Sequence, residues 1–449
     1  MTEAAPAPWT PDRRWADPLI AFLALLCLLL GGAALRQRSA APKTPSASLS
    51  LEGRTREIAL AGARFLPLPA GPQADPATLA PRLRAPWDRA MLAVLLAETG
   101  KLEEGFALAK EGPTPFLKVW EAAYLGGAAL PNAAERRAVA AALRRGYAAQ
   151  ALEARLRARE GVDPAPALAA ARDWALLRLL ALGAAGLGLL ALALGGLVFG
   201  LIQAATWARA PRLPQPAWRL GGRALALVFL GWILAFLLSG TVAALLLAPF
   251  PALHPLALPL GYLFHASVGL GLLLRAEGLS LRALLRRAHP LPLGRTAAWA
   301  LGFWSLAALL VVLVGLALAP LSRDGNPAQK ELFDQMAGLK GWAVAASFLA
   351  VAGLAPLWEE LLFRGLLLPW VGARLQAAGL RRGAWGLALA TVALAFGAIH
   401  LNLQALPALA TLGLVLGLCC LRSGSLLAAV LVHALWNGGT FLFTRLLIG

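Results

Sequence analysis

Charge is scarce in this chain, and acidic residues are scarcer than basic ones. Asp, Glu, Lys and Arg together make up 14% of it, against about 25% in an ordinary soluble domain. A soluble globular chain of usual composition is thereby excluded. Cysteine is rare as well. Cys27, Cys419 and Cys420 all lie in apolar runs, so they make neither a disulfide framework nor a zinc-cysteine module, and they carry no information on redox compartment. The helical HExxH pair of zinc proteases is absent. No repeat relates two halves of the chain, as the architecture of many transporters would require. Histidine occurs only five times, which makes the position of each one informative.

What the chain has in abundance is apolar sequence. Hydrophobic residues make up 59% and the mean hydropathy is +0.68. Runs free of charge occupy 18–35, 179–208, 224–274, 296–322, 383–421 and 423–444. A helix needs roughly 20 residues to cross about 30 Å of hydrocarbon. The runs 224–274 and 383–421 are long enough for two crossings each. The first is broken by Pro249, Pro251, Pro255 and Pro259, the second by Asn402, Gln404 and Pro407. With the segment from Gly341 onward, the sequence predicts an all-α, polytopic transmembrane bundle of about nine spans.

The net charge of +18 does not point to nucleic acid. Much of the basic excess falls in short loops between apolar spans, where it sets topology. Residues 207–223 carry Arg209, Arg212, Arg219 and Arg223 without an acid, and residues 275–295 carry five arginines against Glu277. Both read as cytoplasmic, as do Arg374, Arg381, Arg382 and Arg422. The loop 321–340, balanced in charge, reads as the opposite side. Counting back places residues 1–17, with Arg13 and Arg14, in the cytoplasm. The run 18–35 is then a retained anchor rather than a cleaved signal peptide, because it exceeds a usual signal core and no small-residue cleavage site follows. The expected location is multi-pass in a membrane, the bacterial plasma membrane.

Residues 36–174 differ in kind, being charged and amphipathic, and are expected to form a soluble α-helical domain between the first and second spans. The stretch Trp87–Glu111 has helical spacing on both sides of Thr99-Gly100-Lys101, like one helix-turn-helix of a tetratricopeptide-type repeat. One such unit cannot bury its own apolar face, so partners are expected from Pro113–Ala171. The domain reads either as a docking module or as a helical insertion without a ligand. Residues 175–223 then hold the second span with its basic loop, and residues 224–449 a membrane domain.

Polar residues at membrane depth carry the chemistry. Glu359, Glu360 and Arg364 sit in the otherwise apolar segment Gly341–Ala373. A charge at a helix centre costs about 2.5–3.5 kcal/mol while a Leu returns only about 0.5, so three charges call for a reason. One reason is an ion pair that locks helices; the other is function. Glu360 and Arg364 are spaced to share a helix face and pair. Glu359, turned about 100° from Glu360, is left for a water-filled cavity, where a carboxylate suits general-base work. Pro356, just before the acids, is expected to kink or break a segment too long for one crossing. His400 closes Phe396-Gly397-Ala398-Ile399-His400, and His433 and Asn437 share a helix face in Val432–Asn437. Each alone reads more simply as a hydrogen bond between helices.

Taken in order, EExxxR (Glu359–Arg364), FxxxH (Phe396–His400) and HxxxN (His433–Asn437) resemble the three-motif signature of the CPBP family. That family includes the type II CAAX prenyl endoproteases and bacterial relatives linked to bacteriocin processing or self-immunity. The resemblance covers roughly residues 220–449 and implies an intramembrane endopeptidase acting on membrane-associated or lipidated peptides. By that resemblance Glu359 activates water, His400 helps hold it, His433 and Asn437 stabilise the oxyanion, and Glu360 and Arg364 support them. The resemblance implies no metal, although Glu359, His400 and His433 could also serve as a zinc set with an open position. A catalytically silent immunity or scaffold protein of the same fold is the alternative, and a proton-relay transporter a third reading. Counted from Arg382, His400 falls towards the far leaflet while Glu359 and His433 fall nearer the middle. The catalytic reading therefore requires the fold to bring the three together.

Overall fold

A computed structural model describes residues 10–40, 49–65, 80, 81, 83, 85–206, 220–278, 291–318, 336, 339–380 and 383–448. Among them every regular element is a helix: the protein is all-α and polytopic. Most of the loop arginines used to orient the chain, among them Arg209, Arg212, Arg219, Arg381 and Arg382, lie outside the described residues.

The chain divides into two compact units. The first comprises residues 1–41, 189–328 and 338–441, the second 42–188, 329–337 and 442–449. The helices, in chain order, are α1 (Arg13–Ala40), α2 (Leu51–Ala63), α3 (Pro86–Glu98), α4 (Leu102–Lys110), α5 (Thr114–Tyr124), α6 (Ala133–Ala142), α7 (Tyr147–Arg159) and α8 (Ala165–Ala205). They continue with α9 (Gly222–Leu247), α10 (Ala257–Glu277), α11 (Leu293–Leu318), α12 (Trp342–Ala377), α13 (Ala384–Ala398), α14 (Leu406–Ser423) and α15 (Leu426–Ile448). Eight of these, α1, α8 to α12, α14 and α15, are long and apolar enough to cross a membrane. The ninth expected span, α13, is apolar but has only 15 residues, about 22 Å of helix. The breaks fall where the proline and amide signals place them. A 3₁₀ turn, Pro251–Leu256, separates α9 from α10, and residues 399–405 separate α13 from α14.

Pro356 does not break its helix. Hydrogen bonding runs on from Trp342 to Ala377, with π-helical stretches at Ala350–Leu354 and Leu361–Leu367 on either side of it. A proline removes one N–H and crowds the carbonyl four residues back. The wider π turn before Pro356 re-registers the ladder, so the helix continues through it. Such stretches within α-helices often sit at functional sites, and here they flank both glutamates.

In the first unit, α9 packs on α10 and on α1, α13 lies along α14, and α11 also packs on α14. Small residues set the closest approaches. A side chain at Gly413 of α14 would press on the Ala393 backbone and the Phe396 ring, and one at Gly397 would meet Leu406 and the Ala410 amide. Without a hydrophobic drive between helices in lipid, close packing at small residues is what holds them. The core gathers Trp232, Phe303, Phe363, Phe396, Leu416 and Val432.

The second unit packs α2 to α7 and the first part of α8 around Met91, Val94, Phe116, Val119, Trp120 and Leu152. The turn Thr99–Lys101 between α3 and α4 places Gly100 at φ 85°, which explains glycine there. Ser50 caps α2 at the Gly53 amide (2.9 Å) and is itself held by Asp88. An ion pair between Arg54 and Glu57 is buried completely. Arg54 donates to the Leu143 and Arg144 carbonyls at the end of α6, and Glu57 accepts from the Ala148 amide at the start of α7. The pair thus satisfies two helix ends across a turn that holds Arg144 and Arg145 at positive φ. Burial pushes the Glu57 carboxyl up and the Arg54 guanidinium opposes it. Because losing one partner of a buried pair costs about 3–5 kcal/mol, Glu57→Ala is expected to loosen α6 and α7. Amide exchange on the full chain should rise across 133–159, and unchanged exchange there would refute this account of the turn.

Candidate active site

All six polar residues singled out in the membrane sequence belong to the first unit. Glu359, Glu360 and Arg364 come from α12, His433 and Asn437 from α15, and His400 from the turn after α13. Glu359 is 8% exposed, and Glu360 and Arg364 are fully buried.

Arg364 Nη1 donates to Glu360 Oε1 at 2.8 Å, the pairing that the four-residue spacing predicts. Its other terminal nitrogen donates to the Gly413 carbonyl at 2.9 Å, a contact that the close approach of α13 and α14 at Gly413 brings into range. Glu360 Oε1 also lies 2.9 Å from His433 Nδ1. A carboxylate only accepts, so His433 Nδ1 carries the proton in this contact. A chain Arg364–Glu360–His433 therefore fixes the imidazole and turns Nε2 towards Glu359, whose Oε2 is 4.0 Å away. The two adjacent glutamates thus flank one imidazole, Glu360 at Nδ1 and Glu359 at Nε2.

Glu359 Oε2 is buried and has no hydrogen-bond partner among the described residues. Buried polar atoms are paired in the great majority of cases, and an exception calls for an explanation. Asn437 donates to the Val351 carbonyl at 3.0 Å, inside the first π stretch, where the helical ladder is re-registered. An amide nitrogen has two hydrogens, so this bond uses one of them.

His400 stands between the end of α13 and Leu401, whose φ of 50° turns the chain out of the helix. Its Nδ1 lies 2.8 Å from the Phe396 carbonyl, which makes Nδ1 the donor and Nε2 the lone pair in the neutral ring. The fold brings His400 to the other two. The Phe396 ring packs against the imidazoles of both His400 (5.1 Å) and His433 (5.6 Å), and Glu359 and His433 are near enough for their charges to act on His400. Arg364 stacks on the same Phe396 ring at 4.4 Å. Phe396 is thus the hub on which three polar side chains are packed. The sequence pattern marks it only as the first letter of a motif, and a buried aromatic at helical spacing gives no other sign of that role.

Comparison with known families falls on this constellation. The family model described as Rce1-like, type II CAAX prenyl endopeptidase Rce1-like, matches residues 341–439. That stretch contains all six residues. Residues 341–439 are an Rce1-like domain. At the family level the chain therefore carries a CAAX-type intramembrane protease, in agreement with its apolar helices and its motif order. The rest of the chain lies outside the match, and no curated protein and no solved structure matches it.

The donors of the Rce1-like site bear on metal binding. Among the described residues no three His, Cys, Asp or Glu side chains converge as a metal-ligating group. His400 and His433 both pack on the Phe396 ring, and one nitrogen of each imidazole is committed to a protein acceptor.

Proposed function

We propose that the Rce1-like domain is a glutamate-dependent endopeptidase that hydrolyses peptide bonds of membrane-embedded or lipid-anchored substrates. The observation that carries this reading is the buried, unpartnered Oε2 of Glu359, 4.0 Å from an imidazole nitrogen that two other side chains hold in place. A water beside both groups gives its proton to Glu359 as its oxygen attacks the scissile carbonyl. His400 helps to hold that water and keeps the attacking oxygen directed. Negative charge develops on the former carbonyl oxygen, where hydrogen-bond donors lower the barrier most effectively. His433, when protonated at Nε2, and the second amide hydrogen of Asn437 are the donors at hand. The proton on Glu359 then passes to the departing amine, and both products leave with the base restored. No serine or cysteine is used as a nucleophile.

The test uses purified full-length protein in detergent with two internally quenched peptides. One ends in a farnesylated cysteine followed by three residues, and the other spans the membrane once. Cleavage of at least one, undiminished by a strong divalent-metal chelator, is the expected result. Cleavage of neither overturns the reading, as that is the outcome of a silent scaffold. Loss of cleavage on chelation, restored by zinc, overturns the metal-free mechanism alone.

A further inference from the structure

Two polar side chains, Tyr262 and His265, come from α10, outside the stretch matched to the Rce1-like family. Tyr262, His265 and Gly269 are spaced three and four residues apart, so they share one face of that helix. The face is turned towards Glu359's own segment. A side chain at Gly269 would collide with the ring of Trp358, the residue before Glu359, and with Trp232. α10 also packs against both Ala350–Leu354 and Ala355–Glu360.

His265 is 2% exposed. The Trp232 indole nitrogen donates to its Nδ1 at 3.1 Å. An indole N–H only donates, so Nδ1 is the lone pair and the proton of the neutral ring is on Nε2. That N–H has no hydrogen-bond partner among the described residues. One turn away, Tyr262 packs on His265 at 5.3 Å between ring centres, lies within reach of Glu359's charge, and has no hydrogen bond for its hydroxyl among the described residues. The Trp358 indole N–H, which is buried, is likewise unpartnered among the described residues. Three donors without acceptors, grouped against the segment that carries Glu359, lack what a peptide supplies in excess: backbone carbonyl oxygens. An apolar wall alone would have needed none of them.

We propose that Tyr262 and His265 are substrate-positioning residues that hydrogen-bond a backbone carbonyl of the bound peptide and hold it in register with Glu359. This rests on the hydrolytic reading above. The Trp232–His265 bond keeps Nε2–H aimed by fixing the tautomer, and Trp232 in turn packs on Trp358 at 6.4 Å. The proton chemistry stays with Glu359, and α10 sets which bond reaches it.

The test is steady-state cleavage of whichever quenched peptide the wild-type protein accepts. Tyr262→Phe and His265→Phe are each expected to raise KM about fivefold with kcat within about twofold, the size of one lost hydrogen bond. His265→Gln can both accept from Trp232 and donate onward, so its KM should stay near wild type. A purely structural role for His265 predicts no such rescue. Replacing one substrate amide by an ester weakens its carbonyl as an acceptor. At one position along the peptide that swap should raise KM for the wild type and have no further effect in Tyr262→Phe. If wild type cleaves, Glu359→Ala does not, and both phenylalanine variants keep the wild-type KM at every ester position, this inference falls and the hydrolytic reading stands. If wild type cleaves neither peptide, the hydrolytic reading falls first.

Discussion

Glu359→Gln is expected to lower the cleavage rate by about 10³-fold or more while leaving the melting temperature of the purified protein within a degree or two of wild type. Glutamine keeps the shape and polarity of the side chain but accepts no proton at working pH, so the substitution removes the base and little else. General-base catalysis alone contributes about 10²–10⁴-fold. The same carboxylate is also assigned the proton delivery to the leaving amine, so one change removes both transfers. Stability should barely respond, because Glu359 Oε2 makes no hydrogen bond among the described residues and lies as far as 4.0 Å from His433 Nε2. Neutralising it even removes a buried charge. The measurement is the rate with saturating quenched peptide, alongside a thermal unfolding scan in the same detergent. A Glu359→Gln protein that cleaves within tenfold of wild type would sink the assignment. A variant that loses activity only because it unfolds would recast Glu359 as structural.

Some of this site was legible from spacing alone, and some could not have been. The Glu360–Arg364 pair is a local fact, because four residues on a helix bring two side chains together whatever surrounds them, and the structure has the pair at 2.8 Å. The proline clusters likewise act on their own neighbours, and the gap between α9 and α10 falls there. His433 sharing Glu360 is a different kind of fact. The two residues are 73 positions apart, and only the packing of α15 on α12 joins them. Asn437 reaching Val351 spans 86 positions. Pro356 predicts a kink or break because proline rules describe the helix interior, whereas a long buried helix can widen one turn and continue. Tyr262 and His265 carried no signal of their own: one tyrosine and one histidine in an apolar run have many bland uses, and their unpaired donors exist only once α10 is placed. The second unit was legible as amphipathic helices, but its buried Arg54–Glu57 pair joins α2 to a turn about 90 residues on, which periodicity does not register.

The second large effect is expected at Arg364, and its signature is a separation of stability from activity. Arg364→Met strips the fully buried Glu360 of its guanidinium partner and leaves the Gly413 carbonyl without this donor. An uncompensated buried charge costs about 3–5 kcal/mol, so the single variant should melt well below wild type or fail to accumulate. Glu360→Gln combined with Arg364→Met removes both charges from the same space. Replacing a buried pair by neutral groups of similar volume is close to neutral in stability, and methionine fills irregular gaps well, so the double variant should recover most of the melting temperature. It should not recover cleavage. His433 Nδ1 would then face a neutral amide that can present either its oxygen or its nitrogen, and Nε2 would lose its fixed aim at Glu359. Where a buried carboxylate fixes the tautomer of a catalytic histidine, its amide replacement costs about 10⁴-fold, and a loss of about 10²–10⁴-fold is expected here. Thermal unfolding and cleavage rate, read on wild type, both single variants and the double, give a complete cycle. Activity that returns together with stability would reduce Arg364–Glu360 to a lock between helices. Stability that returns alone would show that the same pair also sets the histidine on which the chemistry depends.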